Sequence, residues 1–281
     1  MRFGMKFLLV ALLLSGQASA WAATKKNIDE TLVDLKSKIK PTGKTSEKIE
    51  KPIEVAFNAA LPLLEQYKQH YSKQGMESLK AATLKMKFDA VPILTQVMKD
   101  EKFPDKNRWI ATSLLGRIMG KKSADYISKF TEHPNWMMRL ASLKTLLSLN
   151  QTQYKGIYAK ALKDPSLIVR YQALENISIM KLDELAPHVW AMLYDKSNYV
   201  GNSGSRKRSH IIKEVIRTVG VLKFDKAKKP MLTMIQNEKY KDIFTELDEA
   251  LTSVSPKASP KGSMSQKRHY WSRVALSEAE L

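Results

Sequence analysis

Apolar and polar positions along this chain repeat as a block. In HPNWMMRLASLKTLLSLN, which begins at His133, and in DPSLIVRYQALENISIMK, which begins at Asp164, the same kinds of residue fall at the same places. Pro134 matches Pro165, Arg139 matches Arg170, Ser142 matches Ala173, Leu143 matches Leu174 and Leu146 matches Ile177, always 31 residues apart. One interval earlier, Arg108, Ala111 and Leu115 take the same places. One interval later, Arg208 takes the arginine place if about seven residues are inserted, with GNSGSRK as the insertion and Ile211, Ile212 and Val215 resuming the apolar pattern. Within each block the apolar residues recur at helical spacing, and Asp, Pro, Gly or Asn stand between runs. The pattern predicts helix pairs: 90–98 with 106–119, 123–130 with 135–149, 153–162 with 166–180, 182–194 with 207–222, and 226–236 with 241–254. No run alternates as a strand would. Self-similarity at a fixed period predicts a repeat array in place of one globular core.

Before the array, Ile28, Leu32, Leu35 and Ile39 are spaced as one helical face, ended by Pro41 and Gly43. A longer helical stretch starts near Ser46, with Pro52 in its first turn and Pro62 placed to kink it. Phe7–Leu14 is apolar but too short to span a bilayer. It comes after Arg2 and Lys6 and precedes the A-x-A of Ala18–Ala20, the layout of a secretory signal peptide. The organisation read from the sequence is therefore 1–20 signal peptide, 21–77 N-terminal helical region, 78–254 repeat array and 255–281 basic tail. The tail opens with Ser, Pro and Lys and is expected to be largely disordered.

The pairs Asp164-Pro165, Val169-Arg170 and Ala173-Leu174, echoed by His133-Pro134, Met138-Arg139 and Ser142-Leu143, resemble HEAT repeats of the short-period bacterial type. The period of 31 is shorter than the roughly 40 usual for that family. His133 stands where the other copy has aspartate, and the last pair lacks the arginine. The resemblance implies an all-α fold: a right-handed, armadillo-like α-solenoid of about five helix pairs. It also implies that Asp164 and the arginines Arg108, Arg139 and Arg170 form a structural ladder between repeats, and that the second helices line a concave surface. Ser113, Lys144, Glu175 and Lys213 come five positions after the ladder arginines. Arg117, Ser148, Ile179 and Arg217 come nine after.

Charge narrows the partners. The formal net charge is +19, and removing Arg2 and Lys6 with the signal leaves +17. A balance this basic suits acidic partners: an acidic protein, an anionic envelope component or nucleic acid. The candidate partner-binding residues are Arg117, Lys144, Arg206, Lys207, Lys213 and Arg217 on the concave face and insertion, with Lys267, Arg268 and Trp271 in the tail. There is no cysteine, which removes thiolate chemistry and Cys-based zinc. The five histidines are not at metal-ligand spacing, and no nucleotide-loop or nucleophile motif is present. No enzymatic activity, metal or cofactor is expected.

Together these features describe an exported, periplasmic or secreted, non-enzymatic scaffold that binds a protein or other acidic macromolecule in the cell envelope. No transmembrane segment is expected. The rival is a nucleic-acid-binding protein that grips the backbone on a basic concave face, as some HEAT-like DNA repair proteins do. A third reading is an envelope enzyme or an enzyme's regulatory subunit, and the lack of a recognisable nucleophile, acid pair or metal cluster argues against catalysis within this chain.

Overall fold

A computed structural model describes residues 61–199 and 209–279. The expected signal peptide and most of the expected N-terminal helical region lie outside them, as do Arg206, Lys207 and Arg208. Among the described residues all regular structure is helical, and no helix is long and apolar enough to cross a membrane. The chain divides into two compact units, the first ending at Gln151 and the second beginning at Thr152.

In the first unit, residues 61–66 are helical. Then come α1 (Lys73–Lys85), α2 (Val91–Lys99), α3 (Asp105–Met119), α4 (Ala124–Ser128) and α5 (Trp136–Ser148). The helices begin where side chains satisfy free N–H groups: Ser72 accepts from the Gly75 N–H and Asn135 from the Met137 N–H. Pro92 sits in the first turn of α2, where its missing N–H costs nothing. Helix α3 packs on α2 and α5, and α4 packs on α5. Val91, Ile93, Leu94, Val97 and Met98 of α2 are fully buried, as are Leu115 of α3 and Leu143 and Leu146 of α5.

The second unit holds α6 (Lys155–Ala161), α7 (Leu167–Ile179), α8 (Ala186–Ala191), α9 (Ser209–Val221), α10 (Lys228–Gln236), α11 (Phe244–Val254) and α12 (Met264–Ala279). Each long second helix packs on its own short first helix, and α7, α9 and α11 pack side by side. The first helices are short because 3₁₀ turns replace their ends, as at Asp183–Leu185 and Met192–Tyr194 around α8.

Two local geometries recur through both units. The turn residues Asp100, His133, Asp164, Asp195 and Asn237 each accept from the N–H two residues on, at 2.8–3.0 Å. One left-handed residue comes after each of α1, α3, α5, α7 and α9: Lys87, Gly120, Asn150, Lys181 and Lys223. Both series step by 30 to 33 residues until the fourth interval, which is 42 from Asp195 to Asn237 and from Lys181 to Lys223. The insertion is therefore eleven residues, not about seven. It moves Ile212, buried at 3 % exposure, into the arginine place that the sequence pattern gave to Arg208. A non-polar side chain at that place still fits the apolar spacing, which is why a four-residue slip, one helical turn, goes unseen in sequence.

The tail is also different from expectation. Residues 264–279 form α12, which packs on α10 and α11. Trp271 is fully buried, and its indole N–H donates to Asp248 Oδ1 at 2.8 Å. The opening Ser-Pro-Lys stretch does lack regular structure. The residues after it include one large aromatic that finds an apolar seat, and that contact orders a helix whose composition alone reads as solvated.

Candidate partner-binding face

Of the arginines predicted as a ladder, Arg108 and Arg170 each link two successive turns within a unit, while Arg139 meets the carbonyls of its own turn. Arg108, 2 % exposed, donates from Nη2 to the Met98 carbonyl at 3.0 Å and reaches His133 Nε2 at 2.8 Å. Arg170, 7 % exposed, donates to Asp195 Oδ2 at 3.0 Å, Ser197 Oγ at 2.7 Å and Asn198 Oδ1 at 2.6 Å. Its Nε donates to the Asp164 carbonyl, as Arg139 Nη1 donates to the carbonyls of His133 and Pro134 at 2.8 Å. Asp164 Oδ1 meanwhile accepts from the Ser166 N–H at 2.8 Å. The planar fork suits this use, since it satisfies several turn acceptors at once.

His133 fills the aspartate place imperfectly. Its Nδ1 faces the Asn135 N–H at 3.0 Å while its Nε2 faces Arg108. Both neighbours are donors, and a neutral imidazole offers one lone pair, so one of the two contacts sets N–H against N–H. Burial, and then the Arg108 charge, push its pKa down to about 3.

The exposed side of the second helices is set by the corrected register. The row five positions after the arginine place is Ser113, Lys144, Glu175 and Arg217. The row nine after is Arg117, Ser148, Ile179 and Val221. In the first unit Arg117 and Lys144 are exposed on the packed helices α3 and α5.

In the second unit the face is a polar network across α7, α9 and α11. The Tyr171 ring stacks on His210 with centroids 5.1 Å apart. Its hydroxyl donates weakly to Glu214 Oε2 at 3.4 Å, and burial with the charges of Glu214 and Glu175 raises the phenol above its ordinary pKa. Glu214 also lies 3.7 Å from Arg217 Nη1. Arg217 Nη2 and Lys213 Nζ both meet Glu246 Oε1, at 2.9 and 3.2 Å. Glu246 is 3 % exposed, and its Oε2 has no partner among the described residues. Lys213 and Arg217, expected as open cations, thus neutralise a buried carboxylate. They hold α9 to α11 before they can serve any ligand.

Lys267, Arg268 and Trp271 are drawn inward in the same way. Lys267 Nζ donates to Asp248 Oδ2 at 2.6 Å. Burial raises the Asp248 carboxyl, but the bonds from Lys267, Ser259 and Trp271 outweigh it and hold its pKa below the usual range. Arg268 lies over the Phe244 ring at 4.3 Å and donates to the carbonyls of Ile235 and Gln236. These three residues fasten α12 and are not an open patch.

Sequence reasoning missed Tyr171, His210, Glu214 and Glu246. The acids at 246 and 248 among the apolar residues of α11 were the available signal; the partners of Glu246 came from α9, whose register the insertion obscured. Above the network, Ile179 is 64 % and Val221 46 % exposed, and they occupy equivalent places on the packed helices α7 and α9. No family model and no curated protein matches this sequence.

Proposed function

We propose that this protein is an exported, non-enzymatic HEAT-like scaffold, an α-solenoid whose second helices present a binding surface to a protein partner in the cell envelope. The observation that supports this most is the recurrence of one turn-and-helix design. The same turn acceptor and the same left-handed residue return from pair to pair, and the second helices pack side by side in each unit. Such stacking spends the apolar face of each second helix on its neighbours and leaves one row exposed along it.

In the second unit that row mixes charge of both signs with exposed apolar side chains. Glu175 and Arg217 come one helical turn before Ile179 and Val221. A protein surface meets such a mixture better than a phosphate backbone, which is uniformly negative and rewards clustered cations. The high net charge then acts at longer range, speeding encounter with an acidic partner.

The test is chemical crosslinking in intact cells with a tagged copy that keeps its first twenty residues, then nuclease treatment and mass spectrometry. One envelope protein, retained after nuclease, is the expected result. Recovery of nucleic-acid-associated proteins alone, lost on nuclease treatment, would favour the nucleic-acid reading. An uncleaved leader in the cytosol would overturn the proposed export.

A further inference from the structure

The ends of α7 and α9 repeat a second motif. Lys181 comes two residues after Ile179, and Lys223 two residues after Val221. All four side chains are exposed, and the two helices pack against each other. Neither lysine pairs with a carboxylate among the described residues. Both lysines are left-handed, at φ +50°. The equivalent places hold Gly120 and Asn150, which adopt that conformation more readily, and also Lys87.

We infer that Ile179, Lys181, Val221 and Lys223 form a docking edge for an acidic amphipathic segment of a partner protein. The inference rests on the protein-binding reading above and deepens it by naming the chemistry of the partner. Its apolar side chains would cover Ile179 and Val221, and its carboxylates would meet the two lysines. Beyond the α9 end the exposed bases Lys226 and Lys229 outnumber the exposed Asp225; beyond the α7 end Asp183 and Glu184 are exposed, Glu184 being paired with Lys155. Charge complementarity and the paired β-branched side chains together select this occupant. A nucleic-acid backbone would leave Ile179 and Val221 uncovered, and neither helix end carries the Trp or Tyr that anchors a lipid interface.

The double variant K181G/K223G separates binding from folding, because glycine relieves the left-handed strain while removing the charges. The probe is a fluorescent synthetic helix with leucines on one face and glutamates flanking them, read by anisotropy at low salt. The variant is expected to bind at least tenfold more weakly while its melting temperature is unchanged or higher. K181R/K223R should restore binding, and I179S/V221S should weaken it with the lysines present. Equal binding by the glycine variant, or no binding of the probe at about 1 mM, would overturn the inference. So would anionic vesicles or a DNA duplex whose binding alone falls in the variant. The same glycine variant, crosslinked in cells, distinguishes the two levels. A partner still captured would sink the docking edge and leave the scaffold reading standing. No protein partner with either form would sink the scaffold reading itself.

Discussion

His133 is the residue whose chemistry departs furthest from its role. Asp195 in the same place accepts the Ser197 N–H at 2.9 Å on one oxygen and Arg170 at 3.0 Å on the other. His133 meets the same two kinds of donor with a single lone pair. His133→Asp supplies both acceptors and a charge opposite Arg108, and should stabilise the protein by about 1–3 kcal/mol. Urea unfolding at neutral pH measures it. The pH dependence comes from the same geometry. The unfolded histidine titrates near its ordinary value and the folded one at about 3. Between those values the unfolded state binds the extra proton, so stability falls as pH drops, with a limiting slope of about 1.4 kcal/mol per pH unit. His133→Asp should remove that slope between about pH 6 and 4. A variant with the slope intact would show that other groups carry it. The sequence shows the aspartate-to-histidine exchange at once. It does not show that both ring nitrogens face donors, because that depends on where Arg108 sends its fork.

At the scale of the element, close approach between second helices sets what the sequence tolerates. A Cβ on Gly220 would lie 2.8 Å from the Ala250 backbone of α11, and one on Gly116 would lie 2.4 Å from the Thr145 methyl of α5. These glycines occupy equivalent places, eight residues after Ile212 and Arg108. Gly220→Ala cannot be absorbed by rotating a side chain and should cost about 1–3 kcal/mol, seen as a lower urea midpoint. Helix α12 depends on one side chain in the same way. Trp271→Ala removes a fully buried indole and leaves Asp248 without one donor, so a loss of about 3–5 kcal/mol is expected. Limited proteolysis should then cut within 255–270 before the rest of the chain; an unchanged digestion pattern would contradict the packing of α12. Helix existence and type were legible from residue 90 to 254 among the described residues, because the apolar spacing is strong and the turns carry capping residues; α1 was not, and it crosses the boundary read between 77 and 78. The fourth register was not, because a slip of one turn keeps the same face apolar. The order in α12 was not either, since one tryptophan outweighs a composition otherwise typical of solvated chain.

Across the whole molecule, charge and pattern assign different tasks to different residues. The +19 net charge already subtracts the acids, but several bases are engaged inside the fold and not open: Lys213 and Arg217 share Glu246, Lys267 holds Asp248 and Arg268 holds Glu238. Counting bases along the sequence therefore overstates the open basic surface around α9 and α12, while Arg117, Lys144, Lys181 and Lys223 stand exposed as positive positions. The sequence shows which residues are basic; which of them already hold a carboxylate depends on packing between helices far apart in the chain. The measurement that tests the central claim most directly is site-specific photocrosslinking in cells. A photoreactive residue is placed in turn at Ile179 and Val221 on the second helices, and at Thr233 on the first helix α10. The scaffold account predicts one protein adduct from positions 179 and 221 and none from 233. Equal adducts from all three positions, or adducts to nucleic acid alone, would contradict it.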